Sequence, residues 1–300
     1  MRVLVVGMPK SGTTLVYARL AAARGLDPDR PGPTAFFEPQ PKTNWPEGST
    51  AKALLVDPEG GVGSRVAEPF SGWNGEQTLE QGRRFDLPIL LLRDPRDRWL
   101  SAFFYRWLYV HRPEPADFRR AWRLTQHKEL FPSDLSFSDL ACPRGMAKEQ
   151  WVQDLARRVD RLRQLEADAR QNGWAVVRYE DFRRGDFSAL EGRIPSDWNL
   201  TPTGSQSANF SHIKRTQGAE NWRRWWLPQD EALLRPVWQE ALEAWGYEQG
   251  GPWEFAPSPV LLPSEGSGYM AGLYHHENGP YATGKQRWEK AKRKIKGVFR

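Results

Sequence analysis

One lysine, two glycines and three hydroxyl residues lie within the eight positions from Gly7 to Thr14. They follow an apolar run, residues 2–7, and precede a helical pattern over residues 15–24. A buried strand, a tight loop and a helix leave unpaired backbone N–H groups at the helix N-terminus, where the helix dipole attracts an oxyanion. Glycine lets the backbone approach such a group closely, and Lys10 adds a positive charge. The pattern therefore predicts a loop that binds phosphate.

The two glycines have the spacing of an ATPase loop, but Thr13 follows Gly12 where an ATPase has lysine. The lysine lies inside the loop instead. The string PKSGTT resembles the 5′-phosphosulfate loop of sulfotransferases that use 3′-phosphoadenosine 5′-phosphosulfate (PAPS). The resemblance implies that Lys10 donates to the bridging oxygen and to the sulfuryl group in transfer. The implied contact residues for the 5′ end of PAPS are Pro9, Lys10, Ser11, Gly12, Thr13 and Thr14.

A second polar group follows the apolar run PILLLR, residues 88–93, which predicts a strand buried on both faces. Arg93 ends this strand, and Ser101 comes eight residues later on a predicted helix. An arginine at the carboxyl end of a parallel strand lies where open α/β sheets bind ligands, and its guanidinium suits a dianionic phosphate. The pair resembles the 3′-phosphate motif of sulfotransferases, which implies selection of PAPS over ATP. Arg96 and Arg98 are predicted to be surface or salt-bridging residues.

A glutamate, Glu38, stands in a proline-rich segment, residues 27–48, that is predicted to be a loop. The flanking Phe36 and Phe37 would desolvate the carboxylate and make it a stronger base. Several carbohydrate-type and bacterial sulfotransferases place a catalytic glutamate in a similar position, which implies that Glu38 takes the acceptor proton. The alternative is a solvated loop glutamate. None of the five histidines lies where histidine-dependent sulfotransferases have their base.

Two weaker resemblances concern the rest of the nucleotide. The triplet Tyr-Glu-Asp that begins at Tyr179 is common in sulfotransferases and implies an adenine contact for Tyr179, with ordinary packing as the alternative. A basic segment with Lys214, Arg215 and Gly218 resembles the loop that closes the nucleotide site. It implies that Lys214 or Arg215 holds the 3′-phosphate, and plain surface charge is the alternative for either residue.

The strands and helices that must position these residues alternate along the chain. They predict a single P-loop-like α/β domain over residues 1–249, with a central parallel sheet flanked by helices. Residues 110–146 are predicted to be mostly irregular. Residues 250–300 are expected to form a Pro/Gly-rich segment that ends in a basic helix or tail. The predicted strands are residues 2–7, 51–57, 88–93 and 174–179, and the predicted helices are residues 15–24, 117–124, 148–171 and 228–245.

Length and composition describe an ordinary globular protein of 300 residues, 39% hydrophobic and 27% charged. Its net charge of +6 lies in residues 285–300, where eight Lys/Arg and one Glu give +7 and leave −1 for the rest. That segment is either a basic amphipathic helix that contacts an anionic membrane or polymer, or a solvated tail. The single cysteine, Cys142, excludes an internal disulfide, and no signal peptide is recognised, so we expect a cytoplasmic protein.

Together these features predict a sulfotransferase that moves the sulfuryl group of PAPS to a hydroxyl of a saccharide, glycolipid or other small molecule. No metal is required in this scheme because Lys10 can meet the charge of the sulfuryl group, and no nucleic-acid partner is expected. One alternative is a P-loop kinase with Asp57, at the end of an apolar strand, as a magnesium ligand. The other is a non-catalytic protein that binds nucleotide or an anionic surface.

Overall fold

The computed structural model describes residues 1–27, 34–38, 45–55, 74–200, 219–256, 258, 260–276, 279–288 and 291–292. Within these ranges the chain forms five strands and ten α-helices with defined bounds, and residues 284–288 and 291–292 are helical as well. The strands are β1 (Val3–Gly7), β2 (Ala35–Phe37), β3 (Thr50–Leu54), β4 (Leu87–Leu92) and β5 (Ala175–Arg178). The helices are α1 (Thr13–Ala23), α2 (Gly75–Gly82), α3 (Pro95–Tyr105), α4 (Pro115–Leu130), α5 (Phe137–Ala141), α6 (Lys148–Gln171), α7 (Tyr179–Arg184), α8 (Trp222–Trp225), α9 (Pro228–Ala244) and α10 (Ser267–Tyr274).

The five strands form one parallel sheet in the order β2-β3-β1-β4-β5, so β1 is central. Gly7 at the end of β1 lies opposite Leu54 of β3 and Leu91 of β4, which aligns the carboxyl ends of these strands. Segments that follow the strands therefore leave the sheet along one edge, the edge where open α/β sheets bind ligands. The predicted fold class, α/β with a central parallel sheet flanked by helices, is confirmed.

Strand side chains alternate between two apolar cores, one on each face of the sheet. Leu4 and Val6 of β1 point into the larger core, to which α3, α6 and α9 contribute. Val3 and Val5 point into the smaller core, to which α1 and α7 contribute. Burial on both faces is the reason why β1 and β4 are continuous apolar runs in the sequence.

The short edge strand β2 lies in a segment that the sequence predicts to be a loop. Its residues pair with β3, where Phe37 lies opposite Lys52. Three residues carry no periodic signal, and here the neighbouring strand decides the backbone conformation. As a result Glu38 follows directly after a strand end, with its N–H donating to the carbonyl of Lys52 at 2.7 Å.

Helices α5 and α10 occupy segments that the sequence predicts to be irregular, and α4 extends the helix predicted over residues 117–124 at both ends. Proline at the first position of α4 and the capping box of α5, formed by Ser136 and Asp139, are start signals for these helices. Helix α10 packs on α4, where the carbonyl of Ser267 accepts from the indole of Trp122 at 3.1 Å. The chain after residue 250 is thus attached to the body through α10. In the described ranges no helix is both long and apolar enough to cross a bilayer.

Candidate functional site

The β1–α1 loop, residues 8–12, is a tight turn held by its own hydrogen bonds. The N–H and the hydroxyl of Ser11 both donate to the carbonyl of Met8, at 3.0 and 2.7 Å. Lys10 has a φ of 70° and Gly12 a φ of 96°, so two residues of the loop adopt the left-handed conformation. Because its donors are used inside the turn, Ser11 shapes the loop rather than offering its N–H to a ligand.

Helix α1 begins at this loop with unpaired donors. Among the described residues, no protein acceptor is found for the N–H groups of Gly12, Thr13 and Thr14. The first turn of α1 contains no acidic side chain, so the positive end of its dipole is not neutralised there. The side chain of Thr13 is buried, whereas Thr14 is half-buried. These three N–H groups lie in the loop that the sequence predicts to bind phosphate, and they can donate to an anion.

Replacing Gly12 with alanine should lower the free energy of unfolding by about 3 kcal/mol. A Cβ at this position would lie 2.2 Å from a ring carbon of Tyr179, and alanine disfavours the left-handed backbone. Gly25→Ala is the matched control because Gly25 has a φ of 70° with open space around it, and it should lose only about 1 kcal/mol. Urea unfolding of both variants measures the difference. Equal losses would show that Tyr179 does not press on the loop.

Arg93 follows β4 and turns back to the β1–α1 loop. Its Nη1 donates to the carbonyl of Lys10 at 2.8 Å, and its Nη2 lies 3.8 Å from a carboxylate oxygen of Asp97. The guanidinium carbon stands 4.7 Å from the ring centroid of Tyr179. The Nε of Arg93 is buried and has no acceptor in the described part of the chain. A buried donor without a partner, next to a helix N-terminus, fits an oxyanion ligand.

One face of α3 is turned towards the same loop. Asp97, Ser101 and Tyr105 are spaced four residues apart and so lie on one side of the helix. Asp97 contacts Arg93 at one end of this series, and the ammonium of Lys10 stands 4.1 Å from the ring centroid of Tyr105 at the other. Ser101, half-buried, lies between these two contacts. The structure therefore places Ser101 on the loop-facing side of α3, as the sequence predicts.

Arg98 and Arg96, predicted to be surface or salt-bridging residues, are both buried. The Nε of Arg98 donates to the carbonyl of Pro9 at 3.1 Å, so a second arginine holds the β1–α1 loop. Arg96 forms an ion pair with Asp94 at 2.8 Å, and its guanidinium carbon lies 4.0 Å from the ring centroid of Trp222. The salt-bridging prediction holds for Arg96, whereas Arg98 supports the loop.

His111 is a residue of this site that the sequence analysis missed. Its ring lies 5.4 Å from that of Tyr105, the same ring that underlies Lys10. Burial and, to a smaller extent, the charge of Lys10 together lower the pKa of His111 to about 4. His111 is therefore neutral at pH 7 and adds no positive charge beside Lys10. His111 reaches Tyr105 only through the turn after α3, and the sequence contains no periodic pattern that predicts this turn.

Protonation of His111 should destabilise the fold at acid pH. In the unfolded chain this imidazole binds a proton near pH 6.5, but in the folded chain only near pH 4. Between these values the unfolded state binds more protons, so stability falls as the pH falls. Urea unfolding of wild type and His111→Asn should be compared from pH 7 to pH 4. Over this range the free energy of unfolding should fall by up to about 3 kcal/mol less in the variant than in wild type.

The comparison with the variant is needed because another buried group acts in the opposite direction. Burial raises the pKa of Glu180 to about 6, so its stabilising contribution is present at low pH and is lost as the pH rises through that value. Glu180 is unchanged in both proteins, and the difference between their profiles isolates His111. Parallel profiles would contradict the assignment of a neutral, buried His111.

Glu38 lies on the other side of β1, at the end of β2. Its carboxylate forms a short ion pair with Lys52 of β3, and both side chains are largely buried. The ammonium of Lys52 also stands 3.8 Å from the ring centroid of Phe37. Burial lowers the pKa of Lys52, and the charge of Glu38 opposes this shift. The aromatic neighbour expected from the sequence is present, but a lysine that the sequence analysis did not consider holds the carboxylate.

The site is braced from behind by a buried carboxylate. Glu180 accepts from the N–H of Asp94 at 3.2 Å and from the hydroxyl of Tyr247 at 2.7 Å. Asp94 is the N-cap of α3, and Tyr179 begins α7, so this contact joins the starts of both helices. These hydrogen bonds hold the N-terminus of α3 against that of α7, where Arg93 contacts Tyr179.

Some predicted residues lie outside the described ranges, namely Asp57, Lys214, Arg215 and Gly218. Just after the last of them, the N–H of Glu220 donates to Asp97 at 2.5 Å and the N–H of Trp222 donates to it at 3.1 Å. Burial raises the pKa of Asp97, and the charge of Arg93 opposes this. The backbone at residues 220–222 is therefore held by the same carboxylate that contacts Arg93.

The described residues contain no group of three or more His, Cys, Asp or Glu side chains arranged to hold a metal ion. Comparisons of the chain with protein-family models, curated proteins and solved structures find no match. The function of the site is therefore inferred from its own geometry.

Proposed function

We propose that this protein is a sulfotransferase that moves the sulfuryl group of PAPS to an acceptor hydroxyl. The proposal rests mainly on the contact between Arg93 and the carbonyl of Lys10, which brings a guanidinium against the β1–α1 loop. One anion position lies at the N-terminus of α1 and a second at the buried Nε of Arg93. Two neighbouring anion positions at one sheet edge suit an adenosine with phosphates on both the 5′ and 3′ sides.

The residues have separate roles in this scheme. The N–H groups of Gly12, Thr13 and Thr14 hold the 5′-phosphate, and Arg93 with Ser101 holds the 3′-phosphate. PAPS supplies the sulfuryl group, and negative charge grows on the bridging oxygen as that group leaves. Lys10 neutralises this charge. Because His111 is neutral at pH 7, no cationic imidazole stands beside the ammonium of Lys10 to repel it.

Glu38 is proposed as the group that takes the acceptor proton. Its ion pair with Lys52 fixes the carboxylate at the end of β2. Strands β3 and β1 lie between this point and Arg93, which follows β4. Acceptor and 3′-phosphate would then approach the β1–α1 loop from opposite sides. Tyr179, which packs on Gly12 and under Arg93, is placed to contact the nucleoside between the two phosphates.

We also propose a reducing, cytoplasmic location, because the lone Cys142 is a buried free thiol. The suggested contact of the basic C-terminal tail with an anionic membrane or polymer remains a prediction, since most of residues 285–300 lie outside the described ranges.

The product 3′-phosphoadenosine 5′-phosphate (PAP) should raise the melting temperature by about 5 °C when present at 100 times its Kd. ADP at the same concentration should have a much smaller effect because its second phosphate is on the 5′ side and does not reach Arg93. Thermal melting with PAP, ADP and Mg-ATP makes the comparison. A larger shift with Mg-ATP would contradict the proposal and support a P-loop kinase.

A further inference from the structure

A cavity of about 410 Å³ opens beside the β1–α1 loop, between β3, α2 and α6. Five aliphatic side chains line it, and so do five polar or charged side chains. The polar part of the lining consists of Glu76, Arg158, Arg161, Gln164 and Asp168. The volume is within the range of small-molecule sites, which are concave and mostly apolar. The aliphatic lining consists of Met8, Leu55, Leu79, Leu162 and Leu165.

The cavity borders the β1–α1 loop at one residue. Met8 belongs to both, two residues before Lys10. The N–H of Leu55 donates to the carbonyl of Gly7 at 3.0 Å, so the floor of the cavity is attached to the end of β1. A compound in the cavity would therefore lie beside the loop that holds the 5′ end of the donor, on the sheet face covered by α6.

The lining indicates what kind of compound fits. Sugar hydroxyls placed against an aliphatic wall would lose their hydrogen bonds to water without replacement. The described lining residues also include no aromatic ring on which a sugar face could stack. Four tryptophans that could stack on a sugar are almost fully buried in the core, namely Trp222, Trp225, Trp226 and Trp238. The cavity suits an apolar body that carries a hydroxyl group.

We infer that this cavity binds the acceptor, and that the acceptor is a hydroxyl compound with an apolar body of about naphthol size rather than a free saccharide. This inference rests on the proposed sulfotransferase function. In the reaction the acceptor oxygen forms a bond to sulfur while the bond from sulfur to the 5′-phosphate oxygen breaks. The electron pair of that bond leaves with PAP, and the acceptor proton passes through water to Glu38, the base proposed above.

The inference is tested with 2-naphthol as the apolar probe and methyl β-D-glucoside as the saccharide probe. PAP release from PAPS measures turnover, and quenching of naphthol fluorescence by the PAP-saturated protein measures binding. We expect saturable turnover and binding with 2-naphthol, and at least about tenfold lower kcat/KM with the glucoside. Preference for the glucoside would overturn the inference.

Leu162→Trp should fill the cavity, raising KM for 2-naphthol at least about tenfold while leaving the Kd for PAP unchanged. Gln153→Trp is the matched control, because Gln153 is exposed on the same helix and lies outside the cavity, and it should leave both constants unchanged. A wild-type KM in Leu162→Trp would overturn the acceptor assignment alone if PAP still binds better than ADP. If PAP has no advantage over ADP, the sulfotransferase proposal itself fails and the inference fails with it.

Discussion

Replacing Lys10 with alanine should lower kcat for sulfuryl transfer by about 10²–10³-fold and change the Kd for PAP by less than about threefold. The ammonium stands over the ring of Tyr105, next to the donors at the start of α1. A charge held there would interact most strongly with the negative charge that develops on the bridging oxygen. An interaction that grows only in the transition state affects turnover and leaves product binding nearly unchanged.

Two further variants test whether the loss of kcat is due to the missing positive charge at Lys10. Lys10→Arg keeps the positive charge and should recover part of kcat. Lys148→Ala removes a partly exposed lysine that pairs with Asp139 away from the site, and it should leave kcat unchanged. Initial rates of PAP release and PAP titrations in a calorimeter supply both constants. Unimpaired kcat in Lys10→Ala would remove this residue from the mechanism, and an equal loss in kcat and PAP affinity would make it a binding residue.

The sequence predicts the sheet because the strands are buried on both faces. Short continuous apolar runs, such as residues 88–92, are typical of strands inside a parallel sheet. Once the sheet is parallel, the residues after each strand must meet at one edge, so the proximity of Arg93 to the β1–α1 loop follows from strand order and register. Strand β2 could not be predicted because its extended backbone depends on pairing with β3.

Within the site, the residues that could be found from the sequence are those that lie at a regular spacing from another site residue along the chain. Ser101 comes eight residues after Arg93, and this spacing puts it on the side of α3 that faces Arg93. His111 and Lys52 were missed for a different reason. His111 reaches Tyr105 only because the chain turns back after α3, and Lys52 meets Glu38 only through strand pairing. Contacts made by tertiary structure leave no periodic signal in the residues that form them.

Some spacing signals were present and were not used. Asp97 and Tyr105 are four residues before and after Ser101, so helical periodicity places all three on one side of α3. That face would have predicted a carboxylate beside Arg93 and an aromatic ring beside the lysine of the loop. The same reasoning identifies Asp97 as an anchor for the chain at Glu220, since a buried carboxylate requires hydrogen-bond donors.

Replacing Arg93 with alanine should raise the Kd for PAP about 100-fold, because a charge-assisted contact in a buried setting contributes about 3 kcal/mol. AMP, which lacks the 3′-phosphate, should bind the variant within about threefold of its wild-type affinity. Arg93 also donates to the carbonyl of Lys10, so the substitution could disturb the β1–α1 loop itself. AMP reports that disturbance, since its only phosphate is the one that the loop holds.

Arg98→Ala provides the matched control for the loop. Arg98 donates to the neighbouring carbonyl, that of Pro9, and is buried like Arg93. Its removal should weaken PAP and AMP by the same factor, so the ratio of their affinities stays at the wild-type value, whereas Arg93→Ala should collapse that ratio towards one. Calorimetric titration of both nucleotides into both variants gives the ratios. If Arg93→Ala preserves the preference for PAP, the second anion position lies elsewhere, and selection of PAPS over ATP would need another residue.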